Sequence, residues 1–150
     1  MQVSGATLVE QARALLSGQK DCIANAANLS ALLFLEFGDI SWAGFYFLRG
    51  DKLILGPFQG KPACVSIPLG KGVCGTAAAS RTTQRVADVH SFAGHIACDV
   101  DARSEVVVPL VQHGVLIGVL DIDSSTVARF NAQDQRLIEQ LAQIYLASID

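Results

Sequence analysis

Cys98 is the most suggestive thiol, because it lies in the charged stretch CDVDAR and not within an apolar run, although by itself it reads as an ordinary loop cysteine. Residues 98–123, CDVDARSEVVVPLVQHGVLIGVLDID, join it to two apolar strands that carry Glu105 on the first and Asp121 and Asp123 on the second. Side chains alternate along a strand, so the two aspartates share a face. Carboxyls at the end of an apolar strand are costly unless a cation or a proton satisfies them. Three acids gathered there could hold an ammonium group, with one kept protonated as a proton donor. The same acids oppose activation of Cys98, since the thiolate is the nucleophile and nearby negative charge raises a thiol's pKa. Arg103, a histidine or a cationic substrate must offset them.

The other cysteines extend this reading. Cys64 heads the third predicted strand and Cys74 begins a short helix after the glycine turn LGKG. Half-buried strand packing accounts for Cys64 as well as function does, and tight packing beside Gly75 and three alanines accounts for Cys74 better. If these thiols meet Cys98, the set could accept a substrate's oxygen as a sulfenic acid and resolve it as a disulfide that an external dithiol reduces. Cys22, near the start of the second helix, reads as structural. Trp42, the only tryptophan, could wall an apolar subsite, although core packing is its commoner use. Gly70 and Gly72 could present N–H groups to an anion, or simply make a turn. His90, His95, Cys98 and Asp99 form a loose metal-ligand set whose spacing matches no zinc pattern, so thiol chemistry ranks above a metal site.

Whether Glu105 joins the aspartates depends on hairpin register. With His113-Gly114 as a two-residue turn, Gln112 pairs with Val115 and Glu105 falls opposite Ile122, on the wrong face. A longer loop, or a bulge near Pro109, restores the shared face and sets Glu105 opposite Asp121. The bulged register is the expectation.

Around these residues the apolar periodicity predicts helices over 6–16 and 21–37, strands over 40–48, 52–58 and 63–68, a helix over 73–80 and a strand over 84–87. An irregular segment follows over 88–103, of a length that is often functional. The hairpin comes next, and then a terminal helix with Asn131 as N-cap and Leu137, Ile138, Leu141, Ile144 and Tyr145 as its apolar stripe. The order ααβββαβββα with hairpin connections indicates an α+β domain, a central antiparallel sheet of about six strands flanked by helices. At 150 residues, 51% apolar and without a linker, the chain reads as a single domain over 1–150. A net charge of -3 without a basic cluster argues against nucleic acid or an anionic membrane. No segment approaches the roughly 20 apolar residues of a span, and the N-terminus is not a secretory signal. A cytoplasmic location is expected, where cysteines seldom act as structural staples.

Taken together, WAGFYFL around Trp42, GPFQGKPACVSIPLGKGVCGTAA around Cys64 and Cys74, VADVHSFAGHIACD ending near Cys98, SEVVVPL with Glu105 and GVLDIDS with both aspartates resemble the free methionine-R-sulfoxide reductases, which are built on a GAF domain. The resemblance runs from about the second helix to the C-terminus. It implies a GAF-like fold and reduction of free methionine-R-sulfoxide without a cofactor. Cys98 would be the catalytic thiol that becomes a sulfenic acid, Cys64 the resolving thiol that forms a disulfide with Cys98, and Cys74 an auxiliary thiol. Thioredoxin would recycle the disulfide. Glu105, Asp121 and Asp123 would bind the substrate ammonium and assist protonation of the sulfoxide oxygen, and Trp42 would face the S-methyl group. One departure is Ala102, where the family pattern suggests a serine. The competing readings are a non-catalytic small-molecule-binding GAF module and a thiol redox sensor; a homodimer through terminal helices is compatible with any of them.

Overall fold

Ser4 and Asp21 start the two N-terminal helices by accepting from backbone N–H groups that have no partner inside the helix. The Ser4 hydroxyl takes the Thr7 N–H ahead of α1 (Gly5–Leu16), and Asp21 takes those of Ile23 and Ala24 ahead of α2 (Cys22–Glu36). In the computed structural model, which describes residues 3–96 and 100–150, the remaining elements are β1 (Trp42–Arg49), β2 (Lys52–Gly60), β3 (Ser66–Pro68), α3 (Gly72–Ser80), β4 (Gln84–Val86), β5 (Ser104–Gln112), β6 (Val115–Ser124) and α4 (Ala132–Ser148). A 3-10 turn, Val89–Ser91, interrupts the segment expected to be irregular. Asn131 caps α4 in a reciprocal capping box with Asp134.

The strands form one six-stranded sheet in the order β3-β2-β1-β6-β5-β4, with every neighbouring pair antiparallel. The expected α+β architecture is therefore present. Strand parity divides the core in two. Ala43, Phe45, Phe47, Val106, Val108, Leu110, Leu120 and Ile122 point to the face covered by α1, α2 and α4. Trp42, Tyr46, Val107 and Val119 point the other way, towards α3 and residues 89–96. Glu105, Asp121 and Asp123 have the second parity, so they lie on the thinly covered side of the sheet.

Register differs from the expectation in one respect. The two-residue turn is present, with Gln112 opposite Val115, and a bulge follows between Leu110 and Val111, with Ile117 as the extra residue on β6. The extra residue stands on β6 and not on β5, so Glu105 pairs with Asp123, and Val107 with Asp121, instead of Glu105 with Asp121. The face is as anticipated and the partner is two residues along. Pro109 fits without a bulge of its own, because the β4 ladder ends at Val107. The third strand is also shorter than 63–68: its ladder pairs only Ser66, Ile67 and Pro68 with Ile54, Leu53 and Lys52. Cys64 thus precedes β3, and its carbonyl accepts from the Tyr46 hydroxyl at 3.1 Å instead of from a strand. Among the described residues no helix is long and apolar enough to cross a membrane.

Gly118 marks where β6 runs closest to β1. A Cβ there would stand 2.1 Å from the Tyr46 carbonyl oxygen, a backbone atom that cannot swing aside. Gly118→Ala is expected to lower unfolding free energy by about 1–3 kcal/mol, read as a lower urea midpoint at unchanged denaturant slope.

Candidate active site

The cleft on the thinly covered face is lined by Trp42, Tyr46, Cys74, His95, Ile96 and Ala102, with Glu105, Asp121 and Asp123 at its floor. A wider open groove between α1 and α4, lined by Val9, Phe37, Arg129 and Leu137, lies on the other side of the sheet and carries no thiol. The acids come from neighbouring central strands, which hold them more rigidly than loops would. Glu105 is 9% exposed and Asp121 4%. Cys74, in the first turn of α3 and 5% exposed, has its Sγ 3.9 Å from Glu105 Oε2. Ligand atoms of Cys74, Glu105 and Asp121 all lie within 4.8 Å of one another.

Burial is the main force on these groups. It drives the Glu105 carboxyl well above the usual carboxylate range, with the charge of Asp121 adding to it. Asp121 is raised in the same way, by burial first and Asp123 second. Cys74 is raised by burial and then by Asp121 and Glu105, so without a cation it is a thiol and not a thiolate. The buried Asp121 carboxyl has hydrogen-bond contacts only with Glu105, Cys74 and Asp123 among the described residues. Carboxyls packed against one another in this way need a shared proton or a cation.

Aromatic rings wall the cleft. The Trp42 indole stacks on Phe58, with centroids 5.2 Å apart, and on Tyr46 at 5.9 Å. Its Nε1–H donates to the Lys61 carbonyl at 3.1 Å. Gly44 makes room for this stack: a Cβ there would come within 2.3 Å of Phe58 Cβ and 2.8 Å of Trp42 Cη2. Above the acids, the Lys61 ammonium bridges the Asp101 carboxylate at 2.7 Å, and this hydrogen bond holds the Asp101 pKa below its ordinary value. The Gly72 N–H donates to the Gly94 carbonyl, and the Val89 N–H to that of Arg103. His95 at the rim is lowered by partial burial and by neighbouring His90. Cys64 is disulfide-bonded, while Cys22 and Cys74 are free thiols.

Comparison with known proteins fits this geometry. Residues 26–150 match the GAF domain family model. The free methionine-R-sulfoxide reductase of Escherichia coli (strain K12) is 56% identical over 128 residues, covering 85% of this chain and 78% of that protein. The chain belongs to the free methionine-R-sulfoxide reductase family. Among solved structures, the reduced form of the Staphylococcus aureus fRMsr superimposes with a TM-score of 0.96 at 48% identity, covering 98% of this chain and 96% of that one. The complex of the Staphylococcus aureus fRMsr with its substrate gives a TM-score of 0.95 at 47% identity over 100% and 98% of the two chains.

Of the reductase residues anticipated from sequence, Trp42, Cys74, Glu105, Asp121 and Asp123 line one cleft. Cys64 lies in the link just ahead of Ile67, whose side chain also lines it. Cys98 and Asp99 lie outside the described residues, and with them half of the loose His90, His95, Cys98 and Asp99 set. Sequence reasoning passed over Tyr46, which packs on Trp42 and fixes the carbonyl of Cys64. The signal was available, since Tyr46 has the strand parity of Trp42 with only Gly44 between them on that face. Cys22 is exposed, and its backbone carbonyl accepts from the buried Tyr145 hydroxyl at 2.8 Å.

The raised carboxyl pKa values set a sign for stability. Acids that hold protons more tightly when folded contribute stability that is full below their unfolded pKa of about 4 and is lost as pH rises through the folded values. Unliganded protein should therefore lose stability as pH rises from about 4 towards neutrality on account of Glu105 and Asp121. Asp121→Asn should flatten this slope and raise the neutral-pH melting temperature. Urea unfolding across a pH series checks it; a slope unchanged in Asp121→Asn contradicts it.

Proposed function

We propose that this protein is an oxidoreductase of the cytoplasm that reduces free L-methionine-R-sulfoxide to L-methionine. The observation carrying this reading is the cluster of buried Glu105 and Asp121 with half-buried Asp123, in one cleft with the Trp42 indole. That combination suits an amino acid with a free ammonium group and an apolar sulfur end. The ammonium would lie against the acids, where its charge compensates the carboxylates it meets. A peptide-bound residue has an uncharged amide in place of the ammonium, so the cluster favours the free amino acid. The S-methyl group packs against Trp42.

In the reaction, Cys98 attacks the sulfoxide sulfur while a protonated carboxyl of the cluster, Glu105 or Asp123, protonates the oxygen and makes the sulfur electrophilic. Oxygen passes to Cys98 as a sulfenic acid, and methionine leaves with its sulfur reduced by two electrons. The Cys64 thiol then attacks the sulfenic sulfur, forming a Cys64–Cys98 disulfide and releasing water. Thioredoxin supplies two electrons and two protons to regenerate both thiols. The engagement of Cys64 in a disulfide, with Cys22 and Cys74 free, supports its role as the resolving thiol. Cys74 touches Glu105 and acts through the acid cluster.

Consumption of NADPH through thioredoxin reductase and thioredoxin, started by free methionine-R-sulfoxide, tests the reading. Turnover is expected for the native chain and none for Cys98→Ser. Asp121→Asn should lower kcat/KM by about 10²-fold or more, and Tyr46→Phe should slow disulfide formation after the first turnover while sparing release of the first methionine. Cys98→Ser behaving like the native protein would overturn the assignment.

A further inference from the structure

Cys64 stands at an open edge of the molecule. β3, which begins two residues on, is the outermost strand of the sheet, so one side of this stretch has no neighbouring strand. Residues 61–66 are exposed apart from half-buried Ala63 and Cys64, and Cys64 is disulfide-bonded. The Val65 carbonyl accepts from the Leu55 N–H at 2.9 Å, which holds its backbone to β2 while its side chain stays in solvent. The Lys61–Asp101 bridge ties the same link to the segment that carries Val100. Val100 lines an open surface groove with Lys61, Asp101 and Arg103. Single exposed apolar side chains are ordinary. Here they are concentrated: Val100 at 77% and Val65 at 66% are the first and third most exposed large apolar side chains among the described residues. The second, Leu35 at 72%, is on α2, across the sheet.

We propose that Val65 and Val100 are the docking surface for the dithiol protein that reduces the Cys64 disulfide, a partner whose reactive cysteines are set in an apolar surface of its own. The inference rests on the reductive cycle proposed above. Transient redox partners bury less than about 1,200 Å² in all, so a small apolar patch beside the disulfide gives enough contact to orient the partner and still lets it leave after each turnover. Once docked, the partner's thiolate attacks one sulfur of the disulfide. The other sulfur leaves as a thiolate and takes a proton, and a mixed disulfide remains. The partner's second thiol, losing its proton, attacks its own sulfur of that bond. The partner departs as a disulfide, oxidised by two electrons, and both cysteines of this chain are thiols again. A small dithiol follows the same steps without needing a docking surface.

Turnover of free methionine-R-sulfoxide supported by thioredoxin, and separately by dithiothreitol, tests the surface. Asparagine is the replacement, since a neutral side chain leaves the charge around the thiols unchanged. In Val65→Asn/Val100→Asn the KM for thioredoxin is expected to rise at least tenfold. The KM for methionine-R-sulfoxide and the rate with dithiothreitol are expected to stay at native values. Leu35→Asn, the control, is expected to match the native protein with both reductants. A thioredoxin KM unchanged in the double valine variant, or raised equally in Leu35→Asn, overturns the docking surface. A dithiothreitol rate that falls in parallel also overturns it, because the valines then act in the active site itself. Native protein that turns over with dithiothreitol and not with thioredoxin overturns it as well. No turnover of the native protein with either reductant overturns the functional reading, and this inference with it.

Discussion

A carboxyl group taken out of water and set beside another carboxyl has three ways to lower its energy: bind a proton, meet a cation, or return to solvent. The sheet closes the third way for Glu105 and Asp121, because β5 and β6 are central strands and α3 packs above them. Proton or cation therefore remains, and much of the fold can be read as the means of keeping that choice open. The bulge on β6 supplies the register that brings Glu105 opposite Asp123. The small residues of α3 let Cys74 approach the acids, and the Trp42 stack lines one side of the cleft.

This arrangement resolves the conflict between acids and thiol chemistry. In the empty site burial favours the protonated forms of Glu105 and Asp121 and the neutral thiol of Cys74, which keeps buried charge small. When an ammonium group arrives, part of that proton load can leave, and a carboxyl that remains protonated is placed beside the sulfoxide. The ligand completes the electrostatics of a site that burial alone leaves unbalanced. The stability lost to burying these groups is the usual cost of a functional cluster.

The parts of the structure legible in sequence are those set by local periodicity. Apolar spacing gave the helices, and strand parity put Asp121 and Asp123 on one face; that Trp42 shares it follows from the pairing of β1 with β6. Resemblance drew the acids, Trp42 and the thiols into one reaction. The pairing of Glu105 was harder, since a bulge changes register by one residue and nothing in VQHGVLIG says which strand carries the extra residue. Cys64 shows a related limit. Its residues read as the start of a strand, yet β2 offers a ladder only from Lys52 to Ile54, and Tyr46 takes the carbonyl that a strand would have used. Cys74 looked like packing because its neighbours are small. Its contact with Glu105 depends on how α3 lands on the sheet, a tertiary fact that no local spacing encodes.

On this account an ammonium group replaces protons at the buried carboxyls of Glu105 and Asp121. Calorimetry of free methionine binding in buffers of different ionisation enthalpy counts protons directly. Net proton release near neutral pH that is reduced or abolished in Asp121→Asn is the predicted result. Binding with no proton release, or release unchanged in Asp121→Asn, would contradict it.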